Sequence, residues 1–199
     1  MKVIGLDLIL PYAEYERVRA VLRPLFIAEK ERRRLALGEH VTLLFENLQT
    51  VWYQVEEMLR VERIAAPEAI RHEIETYSEL LPSPQELSAT VLIEYAAPGE
   101  RDAALQRLVG LEQHVWLVID GRRQAARFDT RQMSRDRISA VQFARFPLGD
   151  IASHRLVELA DAGRLAFEAD HPELSAMAIV SGSLGRALAA DLEVASVGS

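Results

Sequence analysis

The 199-residue sequence contains no cysteine. That absence excludes disulfides, thiolate nucleophiles, zinc–thiolate sites and iron–sulfur clusters ligated wholly by cysteine. No apolar run approaches the ~20 residues needed to cross a bilayer. The opening MKVIGLDLILPYAEYERV turns polar too soon for a signal peptide. Internal repeats, low-complexity stretches and linkers are also missing. So are the spacings that announce a site: no His-Glu-x-x-His, and no serine–histidine–aspartate arrangement readable from spacing. GSLGR at 182–186 has glycines but neither the lysine nor the preceding strand of a phosphate loop, so it reads as a helix start.

What is present describes an ordinary globular chain. Apolar residues make up 49% and charged residues 27%, with a net charge of −7. That length and balance suit one domain over residues 1–199 with a sizeable core, ending in a loose tail over 193–199. The acidic balance argues against a general nucleic-acid surface. The expected setting is cytoplasmic, with no membrane association and with homo-oligomerisation left open.

The first half is helical in pattern. Tyr15, Val18, Leu22, Leu25 and Phe26 recur at helical spacing. Pro24 should kink or divide that helix and Gly38 should stop it. HVTLLFE (40–46) reads as a strand. Asn47 can cap a following helix whose stripe is Leu48, Val51, Trp52, Val55 and Leu59, with Trp52 expected against a sheet. A further helix opens at Pro67 and closes before PSP.

The second half reads as strands. They are ELSATVLIEY, HVWLVID, RQAARFD, SAVQFARFPL and RLAFEAD, with helices at 99–113, near 150–162 and at 182–192. Asp120-Gly121 between two apolar runs predicts a hairpin. Helices clustered early and strands late indicate an α+β fold: a mostly antiparallel sheet with helices largely on one face.

Candidate site residues follow from alternation along the strands. Glu46, Glu94, His114 and Gln142 each stand on an apolar strand, and if those faces coincide they form one carboxylate–imidazole pocket. Its oxygen and nitrogen donors would suit iron, manganese or zinc. Glu62 joins them as a carboxylate projecting along the helix stripe. Glu56, Glu57, Gln54 and Arg60 are expected on a solvated helix face. The run KERRR supplies Arg32, Arg33 and Arg34 as a candidate site for an anion or RNA, opposed by its neighbours Glu29 and Glu31.

Four stretches, ERRRLALGEHVTLLFENLQTVWYQVEEMLRVERI, ELSATVLIEY, HVWLVI and SAVQFARFPL, resemble a bacterial family designated domain of unknown function 3501. The likeness spans most of residues 7–150 and loosens afterwards. Genes of that family often lie beside those for a rubrerythrin and an iron–sulfur oxidoreductase. The resemblance therefore implies an accessory or ligand-binding protein in a redox or peroxide-stress system, with those two proteins as partners. A chain without cysteine cannot relay electrons through thiols, which suits an accessory role. The family usually carries histidine where Gln142 stands, so a metal site using that position would be altered here. Two other readings stay open: an enzyme acting through the carboxylate–histidine pocket, with or without a metal, and an anion- or RNA-binding module.

Overall fold

A computed structural model describes residues 4–129, 136–149 and 151–196, with side chains through 193. The nine strands among these residues are β1 (Arg34–Ala36), β2 (Val41–Phe45), β3 (Glu86–Ile93), β4 (Val115–Ile119), β5 (Arg122–Ala125), β6 (Arg127–Phe128), β7 (Val141–Pro147), β8 (Leu165–His171) and β9 (Leu174–Ile179). The six α-helices among the described residues are α1 (Tyr12–Glu31), α2 (Leu48–Glu62), α3 (Pro67–Ser78), α4 (Pro98–Arg107), α5 (Ser153–Asp161) and α6 (Gly182–Ser196). The α+β assignment holds. The strands form two antiparallel sheets, however, rather than one: β1-β2-β3-β7-β6 and β5-β4-β8-β9.

Alternation along each strand builds a single main core. Val41, Leu43 and Phe45 of β2 face inward with Leu87, Ala89, Val91 and Ile93 of β3, and Leu117, Leu165 and Phe167 come from the second sheet. Phe167 bridges the sheets, its ring 5.0 Å from Phe45 and 4.8 Å from Phe146. The sheets share one extended segment. Ala126, between β5 and β6, still donates to Val115 of the second sheet, while the next residue, Arg127, already pairs with Arg145 of the first. Strands that switch sheets in this way make the corners of packed sheets. The predicted hairpin joins β4 to β5, with Asp120 and Gly121 both at positive φ, as a type I′ turn requires.

α5 and α6 pack together and send Leu156, Leu159, Leu184 and Leu188 into the main core. Their approach is close because position 185 lacks a side chain: a Cβ on Gly185 would lie 2.4 Å from the Ala160 methyl. α2 begins under a capping box in which Asn47 and Thr50 exchange backbone-to-side-chain hydrogen bonds of 2.9 Å. Val51, Val55 and Leu59 of α2 pack with Ile74, Leu81 and the N-terminal Ile4 in a second, smaller cluster. α1, α2 and α3 pack on one another, while α4, α5 and α6 line the main core.

Several local expectations change for physical reasons. α1 runs unbroken through Pro24, because both Pro24 and Ala20, whose carbonyl loses a donor, are exposed, so the lost bond leaves no buried residue unsatisfied. α1 ends at Glu31, since residues 34–36 pair with β2 as an edge strand despite a helix-favouring composition. Gly38, at φ +87°, turns β1 into β2 instead of stopping a helix. β9, which has no counterpart among the strands expected from sequence, pairs with β8 along its whole length. α6 takes in residues 193–196 of the expected loose tail, and 197–199 lie outside the described residues. No helix among the described residues is long and apolar enough to cross a membrane.

Candidate functional site

The five residues expected to share a pocket occupy separate places. Glu46 is buried at the end of β2, accepting hydrogen bonds from the Thr50 and Thr90 hydroxyls, each at 2.5 Å. Glu94 is exposed past the end of β3, bound by Arg34 at 2.9 and 3.0 Å and by the Thr42 hydroxyl at 2.9 Å. The two share a sheet face, but the register sets Glu46 against Ser88 and Glu94 against His40. Opposite ends of a ladder of that length are about 20 Å apart.

Gln142 lies on the other face, opposite Val91 in the main core, with its Oε1 buried and unpartnered. His114 belongs to the second sheet, its Nδ1 3.1 Å from Asp170, which also accepts from Trp116 and Arg123. Glu62 is exposed at the end of α2. Alternation along each strand places these side chains on faces; it does not say which faces meet, and here they do not. No group of three or more histidine, aspartate or glutamate side chains able to hold a metal exists among the described residues.

The three arginines also part company. Arg32 pairs with Glu29, and Arg34 with Glu94. Arg33 is buried, with its Nε on Glu29 at 2.5 Å and its two Nη atoms on Asp191 at 2.5 and 3.0 Å. Asn47 adds a 3.1 Å bond to Glu29. Burial opposes the charge on Arg33, but Asp191 and Glu29 outweigh it and hold the guanidinium above its ordinary pKa. Burial raises the pKa of Asp191. A cavity of about 280 Å³ adjoins this cluster, bounded by Leu48, Leu81, Pro82 and Ala190. The guanidinium there is already held by two carboxylates, so the cluster acts as a brace between α1, the α2 cap and α6.

A different cavity has unspent chemistry. The segment from Ile9 to Pro11, Tyr12 and Tyr15 of α1, Glu56, Leu59 and Arg60 of α2, the corner at Ile64 and Ala65, and Ile70 of α3 enclose about 220 Å³. Glu56 is 2% exposed and accepts 2.8 Å from the Leu10 amide. Burial pushes its carboxyl up to about 7, opposed by that one N–H. No cation among the described residues is within ion-pair distance of it. Arg60, one turn on, keeps its Nη atoms 3.6 Å from Glu16 and 3.5 Å from Glu57, and its Nε is buried with no partner.

Glu57, beside Glu56 in sequence, is treated oppositely. Arg19 grips it at 2.7 and 2.9 Å and the Tyr15 hydroxyl at 2.7 Å. Arg19 first, then Tyr15, outweigh burial and hold the carboxyl down at about 2. The face expected to be wet is thus covered by α1, which buries Glu56 and half-buries Glu57. Trp52 sits under the same cover rather than against a sheet. It is half-buried, meets Phe26 at a tilt with ring centres 5.4 Å apart, meets Tyr15 edge-on and donates to Leu8 at 2.9 Å. The signal that was available is Tyr53, an aromatic on the supposedly wet side, which stacks on Phe26 at 4.8 Å.

Fold and site together define an α+β protein of two antiparallel sheets, with a cleft between its N-terminal segment and its first three helices. The chain belongs to the family described as Protein of unknown function (DUF3501), whose model matches residues 4–192. The match continues well past residue 150, where the likeness legible in the sequence loosens. A solved structure similar to it is that of a novel protein of unknown function from Burkholderia pseudomallei. That protein is 36% identical, with a TM-score of 0.84, over 96% of this chain and 99% of the other. No curated protein matches the chain.

Proposed function

We propose that this protein is a cytoplasmic binding protein, accessory to a redox or peroxide-stress system, and that it takes a small ligand into the cleft at Glu56 and Arg60. One observation carries the binding reading: Glu56, a buried carboxyl with no counter-ion among the described residues, and Arg60, whose Nε is buried without an acceptor, are the residues that bring charge to the same mostly apolar cavity. Native proteins leave few such groups unsatisfied, and a pocket that collects them is the default place for a ligand. The redox setting, with a rubrerythrin or an iron–sulfur oxidoreductase as partner, is supported by the family's gene neighbours and by the lack of cysteine for direct thiol chemistry.

The test is a small-molecule screen read by backbone amide NMR. Ligands should perturb Leu10, Glu56, Arg60 and Ala65, and Ala65→Trp, which fills the cleft from an exposed position, should abolish the response. Hits that map elsewhere or survive Ala65→Trp would overturn the cleft. Co-elution of purified rubrerythrin or oxidoreductase with this chain tests the setting separately, and independent elution of both would remove it.

A further inference from the structure

We propose that the ligand of this cleft is a small monocarboxylate with a short apolar tail, an inference that rests on the reading of the cleft as a binding site. The polar residues that line the cavity have a definite sense. Arg60 Nε is an unpartnered donor, and its Nη atoms hold long ion pairs only, 3.6 Å to Glu16 and 3.5 Å to Glu57, the second of which is already engaged by Arg19 and Tyr15. A carboxylate can accept from a guanidinium through two oxygens at once, the geometry for which arginine is suited.

Glu56 supplies the second contact. One of its oxygens accepts from Leu10, and no described residue donates to the other. With its carboxyl raised toward neutrality by burial, Glu56 can keep a proton and donate it to an incoming anion. The remaining walls are Ile9, Leu59, Ile64 and Ile70, which suit an alkyl tail. The volume falls below the ~300–1,000 Å³ of sites for drug-sized molecules. An amine would set a second positive charge beside Arg60 and leave its Nε unpaired. A phosphate dianion would meet one guanidinium and a carboxyl, too little positive charge for two negative ones.

The sign of the pH dependence separates these ligands. The titratable and charged groups around Glu56 and its partner in the cleft are Tyr12, Tyr15 and Glu16 from α1, Glu16 through its ion pair with Arg60, and Glu57 and Arg60 from α2. The N-terminal segment faces it with the Leu10 amide, and α3 with Ile70. Of these, Glu56 is the group placed to titrate near neutrality. A carboxylate that needs the protonated acid should lose affinity about tenfold per pH unit above about pH 7. An amine that pairs with the ionised acid should gain affinity over the same range.

The experiment is calorimetric and NMR titration with acetate through hexanoate, compared with butyramide and butylamine, between pH 6 and 8.5. We expect a fatty carboxylate to bind at the cleft at least ten times more tightly than the amide or amine, with affinity falling above pH 7. Glu56→Gln, whose amide can donate at every pH, should remove the fall in affinity above pH 7, and Arg60→Met should lose binding with an unchanged circular dichroism spectrum. Tighter binding of butyramide or butylamine would overturn the carboxylate and leave the cleft standing. Silence from the whole carboxylate series overturns it as well, and the broader screen then decides whether the cleft reading survives.

Discussion

Glu56 and Arg60 stand one turn apart on the same face of α2, the spacing and order that favour an ion pair, and they do not pair. Glu56 reaches instead to the Leu10 amide, and Arg60 leans toward Glu16 and Glu57. Both residues line the cleft.

The first prediction concerns stability and pH. Glu56 is raised in the folded state from 4.5 to about 7, so the unfolded chain ionises first and the folded chain must bury the charge later. Stability from this group is full below pH 4.5 and declines as pH rises to 7. The limit set by the shift is about 3 kcal/mol. Glu56→Gln should therefore melt progressively higher than the parent as pH is raised from 5 to 8, with little difference at pH 4.5. A melting difference independent of pH would show that Glu56 is not desolvated in the native state.

Glu57 predicts the opposite slope. Held at about 2, chiefly by Arg19, it contributes stability above its ordinary pKa of 4.5, and that contribution is lost as pH falls toward 2. Glu57→Gln should cost stability at pH 7 and nothing at pH 2, read from urea midpoints at each pH. Equal costs at both would mean that the ionised pair is not what holds the helices together.

The Arg33 brace makes a third case. Removing the guanidinium leaves Glu29 and Asp191 facing one another in a buried site, and breaking a buried pair in this way costs about 3–5 kcal/mol. Arg33→Met should lose about that much in urea unfolding. Adding Glu29→Gln and Asp191→Asn should recover most of it, since the uncompensated charge is then gone. Additive losses in the triple variant would place the cost in lost packing.

Trp52 ties the N-terminal segment to α2 through its ring contacts and its bond to Leu8. It is half-buried, so Trp52→Ala should cost less than a fully packed aromatic, about 2 kcal/mol. Hydrogen exchange at Leu10 should quicken more than at Val55, because the substitution releases the segment before it loosens the helix. Equal acceleration at both would mean that segment and helix open together.

Gly185 tests the contact of α5 with α6. An added methyl meets Ala160 at 2.4 Å, and overpacking of that kind costs about 1–3 kcal/mol. Gly185→Ala should lower the melting temperature, and Gly185→Ala with Ala160→Gly should restore part of it. A rise in the single variant, from helix propensity alone, would mean that the helices have room to separate.

Sequence by itself determined the class of this protein and many of its elements, because those depend on neighbours along the chain. The stripe of α2, its Asn47 cap, the turn at Asp120-Gly121 and the strand around residue 90 all express local periodicity or local backbone preference. Tertiary structure decided what lay between elements. Pairing with β2 drew residues 34–36 out of a helix-favouring run, and register held Glu46 and Glu94 at opposite ends of one ladder. The cleft arose in the same way. Whether Glu56 and Glu57 meet water depends on α1 lying over them, and α1 reaches them from some forty residues earlier in the chain. Two adjacent glutamates are chemically alike in sequence. The structure gives one an arginine and leaves the other with a single amide, and the desolvation that follows makes one a fixed anion and the other an acid poised near neutrality.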